Sequence, residues 1–504
     1  MTKIERKNSA MRYLSTRDSS IRLTSAQAIA RGLSRDGGLF VPESVPALPA
    51  GTIEKLTGMT YQQRAVYVMG LFLEDFSEAE LTELCAKAYG TNFDTPAVAP
   101  VAALDENTSF LELWHGPTCA FKDMALQILP HLLTASLIKN GEEKKVCILV
   151  ATSGDTGKAA LEGFRDVDRT KIIVFYPRDG VSDIQKLQMT SQDGENVGVC
   201  SVLGNFDDAQ SGVKRIFSDA AFRQRLAEKG WFLSSANSIN WGRLLPQVVY
   251  YISAYCDLVS AGRIQNGDAV NFCVPTGNFG DILAGYYAKR MGLPVKKLIC
   301  ASNCNDVLTE FFSTGVYNKN RSFHTTISPS MDILISSNLE RLLFEISGGD
   351  DRLVAGYMRQ LAETGKYEVA PQLKTQMDAL FSAGSCTDSE TKEEIRRVFD
   401  EHGYLMDTHT AVGCHVLRAY RAETGDDTQA VVVSTASPYK FCDSVLDALG
   451  DSGSAQGLEL IDRLQTVSGK PAPAPLVALK NKRVRFTDFT EKDAMLSVVE
   501  EFLR

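Results

Sequence analysis

The chain has 504 residues, a formal net charge of −9 at pH 7, a hydrophobic fraction of 44% and a charged fraction of 23%. Single hydrophobic cores stop growing at roughly 250 to 300 residues, so this length predicts two or three domains of ordinary globular composition. The acidic balance argues against a nucleic-acid surface, and no apolar run reaches the roughly 18 residues that would cross a membrane.

From Met11 to about Pro100 the pattern is mixed and predicts a small N-terminal domain. Residues 35–46 combine a Gly-Gly turn with a short apolar strand, and residues 76–90 read as an amphipathic helix built on Leu81, Leu84 and Ala88. The sequence LWHGPTCAFKD follows at 113–123. After it comes a heavily apolar helix, predicted to bend at Pro130.

From residue 145 onward, strands alternate with helices and are apolar on both faces. The predicted strands are 145–152, 171–177, 196–204, 231–235, 269–277 and 296–302. This alternation predicts an α/β fold in which helices cover parallel sheets.

Between about 305 and 430 helical periodicity predominates, including a helix that ends at Gly403. A strand signal returns at 429–437. After a PAPAP spacer at 471–475, we expect a strand at NKRVRF and a final helix at EKDAMLSVVEEFLR.

The eleven cysteines show no paired C-x-x-C pattern. Cys300 and Cys304 have neither a second pair nor suitably spaced histidines to complete a zinc site, so no metal is expected. We expect reduced, mostly buried thiols in a cytoplasmic protein. The first ten residues, MTKIERKNSA, lead into no apolar segment, which argues against a secretory signal.

Lys122 lies between Phe121 and Asp123, directly after the turn at 115–118. Lysines beside aromatic residues are mostly surface residues whose charged ends remain in water. Glycine-rich loops elsewhere in the chain favour another interpretation, in which Lys122 is a desolvated lysine that reacts with pyridoxal phosphate.

Three loops join strands to helices, and ligands in such sheets bind beyond the carboxyl ends of the strands. In the first, ATSGDTGK at 151–158, Ser153 and Thr156 offer hydroxyls at a helix N-terminus, which favours an anion. It is not an ATP-binding P-loop, because only two residues separate Gly154 from Gly157 and no hydroxyl residue follows Lys158.

The second loop, VPTGNFGD at 274–281, presents successive N–H groups that can enclose a phosphate. In the third loop, at 234–243, Asn237, Ser238 and Arg243 suit a second anion. Each loop alone could be a plain glycine turn or a helix cap. Together with a buried lysine, they predict two phosphates, one belonging to a cofactor and one to a substrate.

At these residues the chain resembles the threonine synthases, which are fold type II pyridoxal phosphate enzymes related to the tryptophan synthase β subunit. The segments NDVLTEFFSTG, SPSMDI and SSNLER resemble the longer form found in fungi and many bacteria. The motifs that carry the resemblance span nearly the whole chain: MRYLSTR (11–17), DGGLFVPE (36–43), HGPTCAFKD (115–123), ATSGDTGKAA (151–160), SANSINWGR (235–243), VPTGNFGD (274–281), DTHTAVG (407–413) and STASPYKF (434–441).

The resemblance implies two three-layer αβα domains with mostly parallel sheets and a small N-terminal domain. The implied ranges are 1–100 for the N-terminal domain, 146–264 for the small domain, and 101–145 with 265–504 for the large domain, with a helical insertion at about 305–425. Because the chain begins ten residues before the family's usual start, residues 1–10 are expected to be a disordered extension.

The resemblance also implies roles for individual residues. Lys122 would be the Schiff-base lysine, Asp155 would face the 3-hydroxyl of pyridoxal 5'-phosphate, and Thr435 would meet its pyridine nitrogen. The cofactor's phosphate would be held by Thr276, Gly277, Asn278, Phe279 and Gly280. The substrate's phosphate would be held by Ser153, Thr156, Asn237, Ser238 and Arg243.

The family's reaction is a γ-elimination of phosphate from O-phospho-L-homoserine followed by β-addition of water, which gives L-threonine. The chain departs from the family at Ser437, where a histidine is usual, and at Tyr439, which replaces a small residue. His409 and His415 lie nearby in the sequence.

Two other functions remain open at this point. A phospho-lyase on the same scaffold would release 2-oxobutyrate, and a catalytically silent homologue would only bind phospho-metabolites. Neither nucleic acid nor membrane is expected as a partner, and both a monomer and a homodimer are compatible with the sequence.

Overall fold

The structure is a computed structural model that describes residues 11–152, 154–178, 181–451 and 453–504. Two expectations fall outside these ranges: the extension at residues 1–10 and the anion-binding hydroxyl of Ser153. No helix in the described ranges is long and apolar enough to cross a membrane.

Residues 11–100 form an antiparallel sheet with β1 in the centre, flanked by four helices. The predicted amphipathic helix is confirmed as α4, which begins with a capping box between Ser77 and Glu80 and buries Leu81, Leu84 and Ala88. The elements are β1 (Tyr13–Ser15), β2 (Asp18–Leu23), α1 (Ser25–Arg31), β3 (Phe40–Pro42), α2 (Thr52–Thr57), α3 (Tyr61–Gly70) and α4 (Glu78–Ala88).

Residues 101–260 contain the first strands of both large sheets. The predicted bent helix after Lys122 is two helices, because Pro130 occupies the first turn of the second one, where a residue without an N–H is tolerated. The elements are β4 (Val101–Ala103), β5 (Thr108–Glu112), α5 (Asp123–Leu126), α6 (Leu129–Lys139), β6 (Lys145–Ala151), α7 (Asp155–Phe164), β7 (Thr170–Pro177), α8 (Asp183–Thr190), β8 (Val197–Leu203), α9 (Phe206–Ser218), α10 (Ala220–Glu228), β9 (Trp231–Ser234) and α11 (Trp241–Ser260).

The remaining residues complete both sheets. Gly403 ends α17 in the left-handed conformation, as predicted. The strand predicted at NKRVRF is wrong, since the strand of this region lies at Phe489–Glu491. The elements are β10 (Val270–Pro275), α12 (Gly280–Arg290), β11 (Val295–Ser302), α13 (Val307–Thr314), β12 (Val316–Asn318), α14 (Leu339–Ile346), α15 (Asp351–Thr364), β13 (Lys366–Glu368), α16 (Pro371–Leu380), β14 (Phe381–Ser385), α17 (Asp388–His402), α18 (Thr408–Thr424), β15 (Ala430–Ser434), α19 (Cys442–Ala448), α20 (Glu459–Ser468), α21 (Ala474–Val477), β16 (Phe489–Glu491) and α22 (Met495–Phe502).

Two mostly parallel sheets confirm the predicted α/β class. Across the described residues, the larger sheet has the order β14-β11-β10-β15-β5-β4, with only β4 antiparallel, and the smaller has the order β16-β8-β7-β6-β9. A pair of short antiparallel strands, β12 and β13, stands apart from both. The elements that carry the three predicted anion loops therefore come from both large sheets.

The expected domain ranges differ from the sheets in two places. β16 pairs with β8, and Met495 and Val499 of α22 pack into the core of the smaller sheet, so the C-terminus does not belong with the larger one. In the other direction, α11 packs on α2, α3 and α12 instead of on the smaller sheet. Both differences arise because long-range packing of apolar faces, which chain order does not specify, decides where an element near an expected domain boundary lies.

A glycine in α7 sets how closely that helix approaches the segment after Lys122. A Cβ added at Gly163 would lie 1.9 Å from the carbonyl oxygen of Leu126, the last residue of α5. Backbone cannot move aside as a flexible side chain can.

We therefore expect Gly163→Ala to destabilise the protein by about 2 kcal/mol or more. Gly356→Ala is the matched control, because Gly356 lies within α15 and its added Cβ meets nothing within 4 Å. That variant should be stabilised by up to about 1 kcal/mol. Urea unfolding midpoints of the two variants would check the contrast, and equal midpoints would contradict it.

Candidate active site

The turn before Lys122 is held by a buried carboxylate. Asp123 accepts hydrogen bonds from the backbone N–H of Thr118 at 2.8 Å and from its hydroxyl at 2.7 Å. Gly116 is required there, because an added Cβ would come within 2.5 Å of the Asp123 carboxylate. The turn and the start of α5 are thus one rigid unit that fixes the backbone of Lys122.

Lys122 is buried, as the interpretation as a reactive lysine requires, and not a surface residue. Its relative exposure is 9%, and its Nζ donates to the Ser330 hydroxyl at 3.4 Å. Burial lowers the pKa of Lys122 to about 8, with Asp155 opposing the shift and Arg243 reinforcing it. A substantial neutral fraction of this amine is therefore available near neutral pH.

The predicted phosphate loop at 276–280 leads into the N-terminus of α12, where no side chain caps the helix. Phe279 has a φ of 64° in the left-handed region, which turns successive N–H groups to one side. The carbonyl oxygens of Gly277 and Asn278 accept hydrogen bonds from Ser336 and Asn338. The N–H groups of Gly277, Asn278 and Gly280 donate to no described residue.

The loop before α7 is tightly wound around the side chain of Thr152. The Thr152 hydroxyl accepts from the N–H groups of Gly154 at 3.0 Å and Gly157 at 2.9 Å. Gly154 has a φ of 145°, a conformation open only to glycine. Thr156 is partly buried. Lys158 forms an ion pair with Glu162 of the same helix at 2.9 Å, so its ammonium stabilises α7 and is not free to bind a ligand.

Asp155 begins α7 as a buried carboxylate with two partners. Its Oδ1 accepts from Gln185 at 2.9 Å and lies 2.9 Å from the ammonium of Lys440. Burial alone would raise the pKa of Asp155, but the charges of Lys440 and Lys122 outweigh it and hold that pKa well below its ordinary value. Asp155 is therefore an anion beside Lys122.

Arg243 is a buried guanidinium with no carboxylate partner among the described residues. Its Nη1 donates to the Ala236 carbonyl at 2.6 Å, and its Nε has no hydrogen-bond acceptor in the described part of the chain. Burial lowers its pKa to about 10. An unpaired charge of this kind is costly, so its geometry fits a site that receives an anion.

The other residues predicted for this anion differ in exposure. Ser238 accepts a hydrogen bond from Asn338 at 3.1 Å, and Asn237 is exposed at the surface of the same loop. Asn338 also donates to Asn278, so it connects the substrate-phosphate loop with the cofactor-phosphate loop. No local sequence pattern could have identified Asn338, since its role comes from two distant loops.

A backbone hydrogen bond places Thr435 next to the segment that carries Lys122: the Thr435 carbonyl accepts from the N–H of Phe121 at 2.7 Å. The two departures from the family pattern do not face Lys122: Ser437 caps the turn that follows, and Tyr439 donates to the carbonyl of Lys470. His409 accepts from the N–H of Ser330 at 3.1 Å and thereby orients the residue that meets Lys122.

His115 lies at the outer edge of the turn, with each ring nitrogen facing a carboxylate. The partners are Asp94 at 2.6 Å and Glu112 at 3.0 Å. Burial lowers the pKa of His115, but the Glu112 hydrogen bond and the Asp94 charge outweigh it, so the net shift is upward. Only the protonated ring can donate to both partners.

We expect protonated His115 to stabilise the fold below its unfolded pKa of about 6.5, and this stabilisation to disappear as pH rises through the higher folded value. Urea unfolding of His115→Gln and the parent at pH 6 and pH 9 checks this, because the difference should shrink at pH 9. His131, whose pKa burial lowers, should show the reverse trend in His131→Gln. A constant difference for His115 would contradict the expectation.

The insertion also brings Cys386, Glu390 and His415 together, with one ligand atom of each within 4.8 Å of the others. All three already have protein partners: Cys386 contacts Thr391, Glu390 closes the cap of α17, and His415 lies 3.4 Å from Arg418. This group lies apart from Lys122 and belongs to the packing of α17 on α18.

The residues around Lys122 fit pyridoxal phosphate. A buried amine with a lowered pKa, together with unpaired N–H groups at an uncapped helix N-terminus, provides an attachment point and a phosphate cradle. The fold and the site therefore define a pyridoxal-phosphate-dependent enzyme, and residues 95–384 match the family described as "Pyridoxal-phosphate dependent enzyme".

The chain belongs to the threonine synthase family. Residues 12–89 match "Threonine synthase N terminus" and residues 410–502 match "Threonine synthase, C-terminal". The threonine synthase of Pseudomonas aeruginosa is 42% identical over 436 residues, which cover 86% of this chain and 90% of that protein. A PLP-bound threonine synthase structure from Brucella melitensis matches with a TM-score of 0.87 and 40% identity, covering 98% of this chain and 99% of that one.

Human threonine synthase-like 1 is 43% identical over 435 residues, which cover 84% of this chain and 58% of that protein. The chain thus spans little more than half the length of the threonine synthase-like 1 proteins that it matches.

Proposed function

We propose that the chain is a threonine synthase, a lyase that converts O-phospho-L-homoserine and water into L-threonine and phosphate. The observation that carries this proposal is Arg243, a buried cation without a carboxylate partner that lies close enough to Lys122 to influence its pKa. A substrate with both an amine and a phosphate would meet both groups at once. The family's shared motifs support the same substrate.

Pyridoxal phosphate, when bound, supplies an electron sink that makes the Cα and Cβ hydrogens of the substrate acidic. In the proposed role of each residue, Asp155 faces the cofactor's 3-hydroxyl, Thr435 faces its pyridine nitrogen, and residues 276–280 hold its phosphate. The uncapped N-terminus of α12 supports the last of these roles.

Lys122 moves the protons. With its pKa lowered to about 8, part of the amine is neutral at pH 7, and this form removes the Cα proton and, once it has given that proton up, a Cβ proton. Ser330, which accepts from Nζ in this structure, orients the amine between transfers. The proton taken from Cβ goes to Cγ once phosphate has left, which makes the methyl group, and after water adds at Cβ the same amine gives a proton to Cα.

The leaving phosphate is received by donors that are already in place. In this proposal Arg243 offers its unpaired Nε, Ser153 and Thr156 supply hydroxyls from the loop at 151–158, and Asn237 and Ser238 supply amide and hydroxyl groups from the loop before α11. Such preorganised donors stabilise the charge that grows on the phosphate as its bond to Cγ breaks.

The second candidate, a phospho-lyase, uses the same residues but adds no water at Cβ, so the released enamine is hydrolysed to 2-oxobutyrate and ammonia. Incubating the protein with O-phospho-L-homoserine, with and without added pyridoxal phosphate, separates the two by product. Threonine and phosphate in equal amounts support the synthase; phosphate with 2-oxobutyrate supports the lyase. No phosphate release at all would favour a silent binding homologue.

The proposed location is the cytoplasm. All eleven cysteines are free and ten of them are buried, which suits a reducing compartment.

A further inference from the structure

One buried lysine near the site has no role in the function proposed above. Lys440 ends the short 3-10 helix Pro438–Lys440, which follows β15, and its side chain is 0% exposed. Its Nζ donates to the Thr118 carbonyl at 2.8 Å and to Gln188 Oε1 at 3.2 Å, and it lies 2.9 Å from Asp155 Oδ1. An ammonium has three N–H groups, so these partners leave none for a ligand.

The three partners come from parts of the chain that meet only here. Thr118 belongs to the turn that fixes Lys122, Asp155 begins α7, and Gln188 lies in α8. Lys440 follows a strand of the larger sheet, whereas α7 follows a strand of the smaller sheet. One ammonium therefore joins both sheets next to Lys122.

Lys440 also affects the charge and the orientation of the Asp155 carboxylate. The Asp155 side chain is only 3% exposed, and an unpaired carboxylate at that depth would be strongly disfavoured. Lys440 and Gln185 both contact the same oxygen, Oδ1, and these two contacts hold it in place. Without the ammonium, Asp155 would lose both its counter-ion and one of its two anchors.

Five charged groups face Lys122 from the elements around it. Asp123 lies on its own helix, Asp155 on α7, Arg243 on α11, Asp281 on α12, and Lys440 after β15. Asp155 is an anion that raises the pKa of the Lys122 amine, and Lys440 is a cation that lowers it, so the effects of the two paired residues oppose each other.

We propose that Lys440 is a positioning residue that holds the Asp155 carboxylate ionised and oriented beside the Lys122 amine, so that this amine faces a compensated ion pair. The proposal rests on the proposed attachment of pyridoxal phosphate to Lys122. It goes beyond that role, because it assigns the electrostatic setting of the amine to a residue that touches neither substrate nor cofactor.

The proposal predicts opposite effects for the two partners. In Lys440→Met the Asp155 carboxylate has only the Lys122 ammonium left as its counter-ion, so it should raise the pKa of Lys122. In Asp155→Asn the uncompensated Lys440 ammonium should lower the pKa of Lys122. In the double variant both charges are absent, so the Lys122 pKa should return towards its parental value. If the Lys440–Asp155 pair had only a structural role, both single variants would be destabilised and their Lys122 pKa values would not shift in opposite directions.

The test uses cofactor-free full-length protein and follows the rate of pyridoxal phosphate association against pH, since the neutral amine is the reacting form. We expect the pH at which this rate is half-maximal to rise by about one pH unit in Lys440→Met and to fall by about one pH unit in Asp155→Asn. In the double variant this pH midpoint should change little. Lys158→Met is the matched control, because it removes another buried lysine from an ion pair, with Glu162, and should leave the midpoint unchanged.

Shifts of the same sign in both single variants, or no shift, would overturn the proposal. If Lys440→Met does not fold, Asp155→Asn alone decides, because an unchanged or raised midpoint contradicts the compensated pair. No substrate is used, so the result does not depend on the product formed. If Lys122→Ala still attached the cofactor covalently at the parental rate, the proposed function would fail separately.

Discussion

Replacing Lys122 with alanine should reduce phosphate release from O-phospho-L-homoserine by about 10³-fold or more, because the proposed proton carrier and the cofactor attachment are lost together. The residue is buried and its amine has a lowered pKa, so no neighbouring side chain can substitute for it. The same variant should bind pyridoxal phosphate only non-covalently, so borohydride treatment should not fix the cofactor to the protein. Phosphate release, together with mass spectrometry after borohydride treatment, checks both losses.

The control for this result is Lys186→Ala, which removes an exposed lysine from α8 and should leave both readouts unchanged. Parental phosphate release by Lys122→Ala would mean that another amine carries the reaction. Loss of activity with borohydride attachment retained would assign the attachment to a different lysine.

Replacing Arg243 with methionine should raise KM for O-phospho-L-homoserine by roughly 30- to 1000-fold, equivalent to about 2 to 4 kcal/mol of lost binding to a charged group in a buried site. The substrate-free protein should not be destabilised by more than about 1 kcal/mol, since the variant removes a buried charge that has no counter-ion. Steady-state kinetics and urea unfolding of the substrate-free protein measure the two effects.

Arg341→Met provides the matched control. Arg341 is also fully buried, but its guanidinium donates to Phe40, Asn338 and Ile239, so removing it leaves three acceptors unpaired. We expect that variant to be destabilised by about 3 kcal/mol or more. An Arg243→Met variant with parental KM, or one destabilised as strongly as Arg341→Met, would show that Arg243 is structural.

The sequence predicted the features that depend on short-range patterns. The strands before the loops at 151, 234 and 274 are apolar runs, α4 carries its apolar residues at helical spacing, and Gly403 ends α17. The burial of Lys122 followed from combining three such loops, not from its own neighbours. The strand and helix predictions held because each depends on residues only a few positions apart.

The predictions that failed concern segments whose neighbours are distant in the chain. NKRVRF alternates like a strand but pairs with no strand of the described residues, whereas Phe489–Glu491 pairs with β8. β14 lies in a region that reads as helical, and it becomes a strand because the edge of β11 is available to it. Strand formation needs a partner, and a local pattern does not reveal one.

The sequence by itself determined that this chain has a parallel α/β fold, and it predicted a reactive lysine and phosphate-binding loops at strand ends. These features rest on local backbone geometry, such as glycine turns and helix N-termini. Only the tertiary structure decided what surrounds the lysine: Ser330 meets Lys122 from 208 residues away, and Lys440 meets Thr118 from 322 residues away. Burial and ion pairing depend on which distant segments pack together, and that packing sets the charge state of every group at the site.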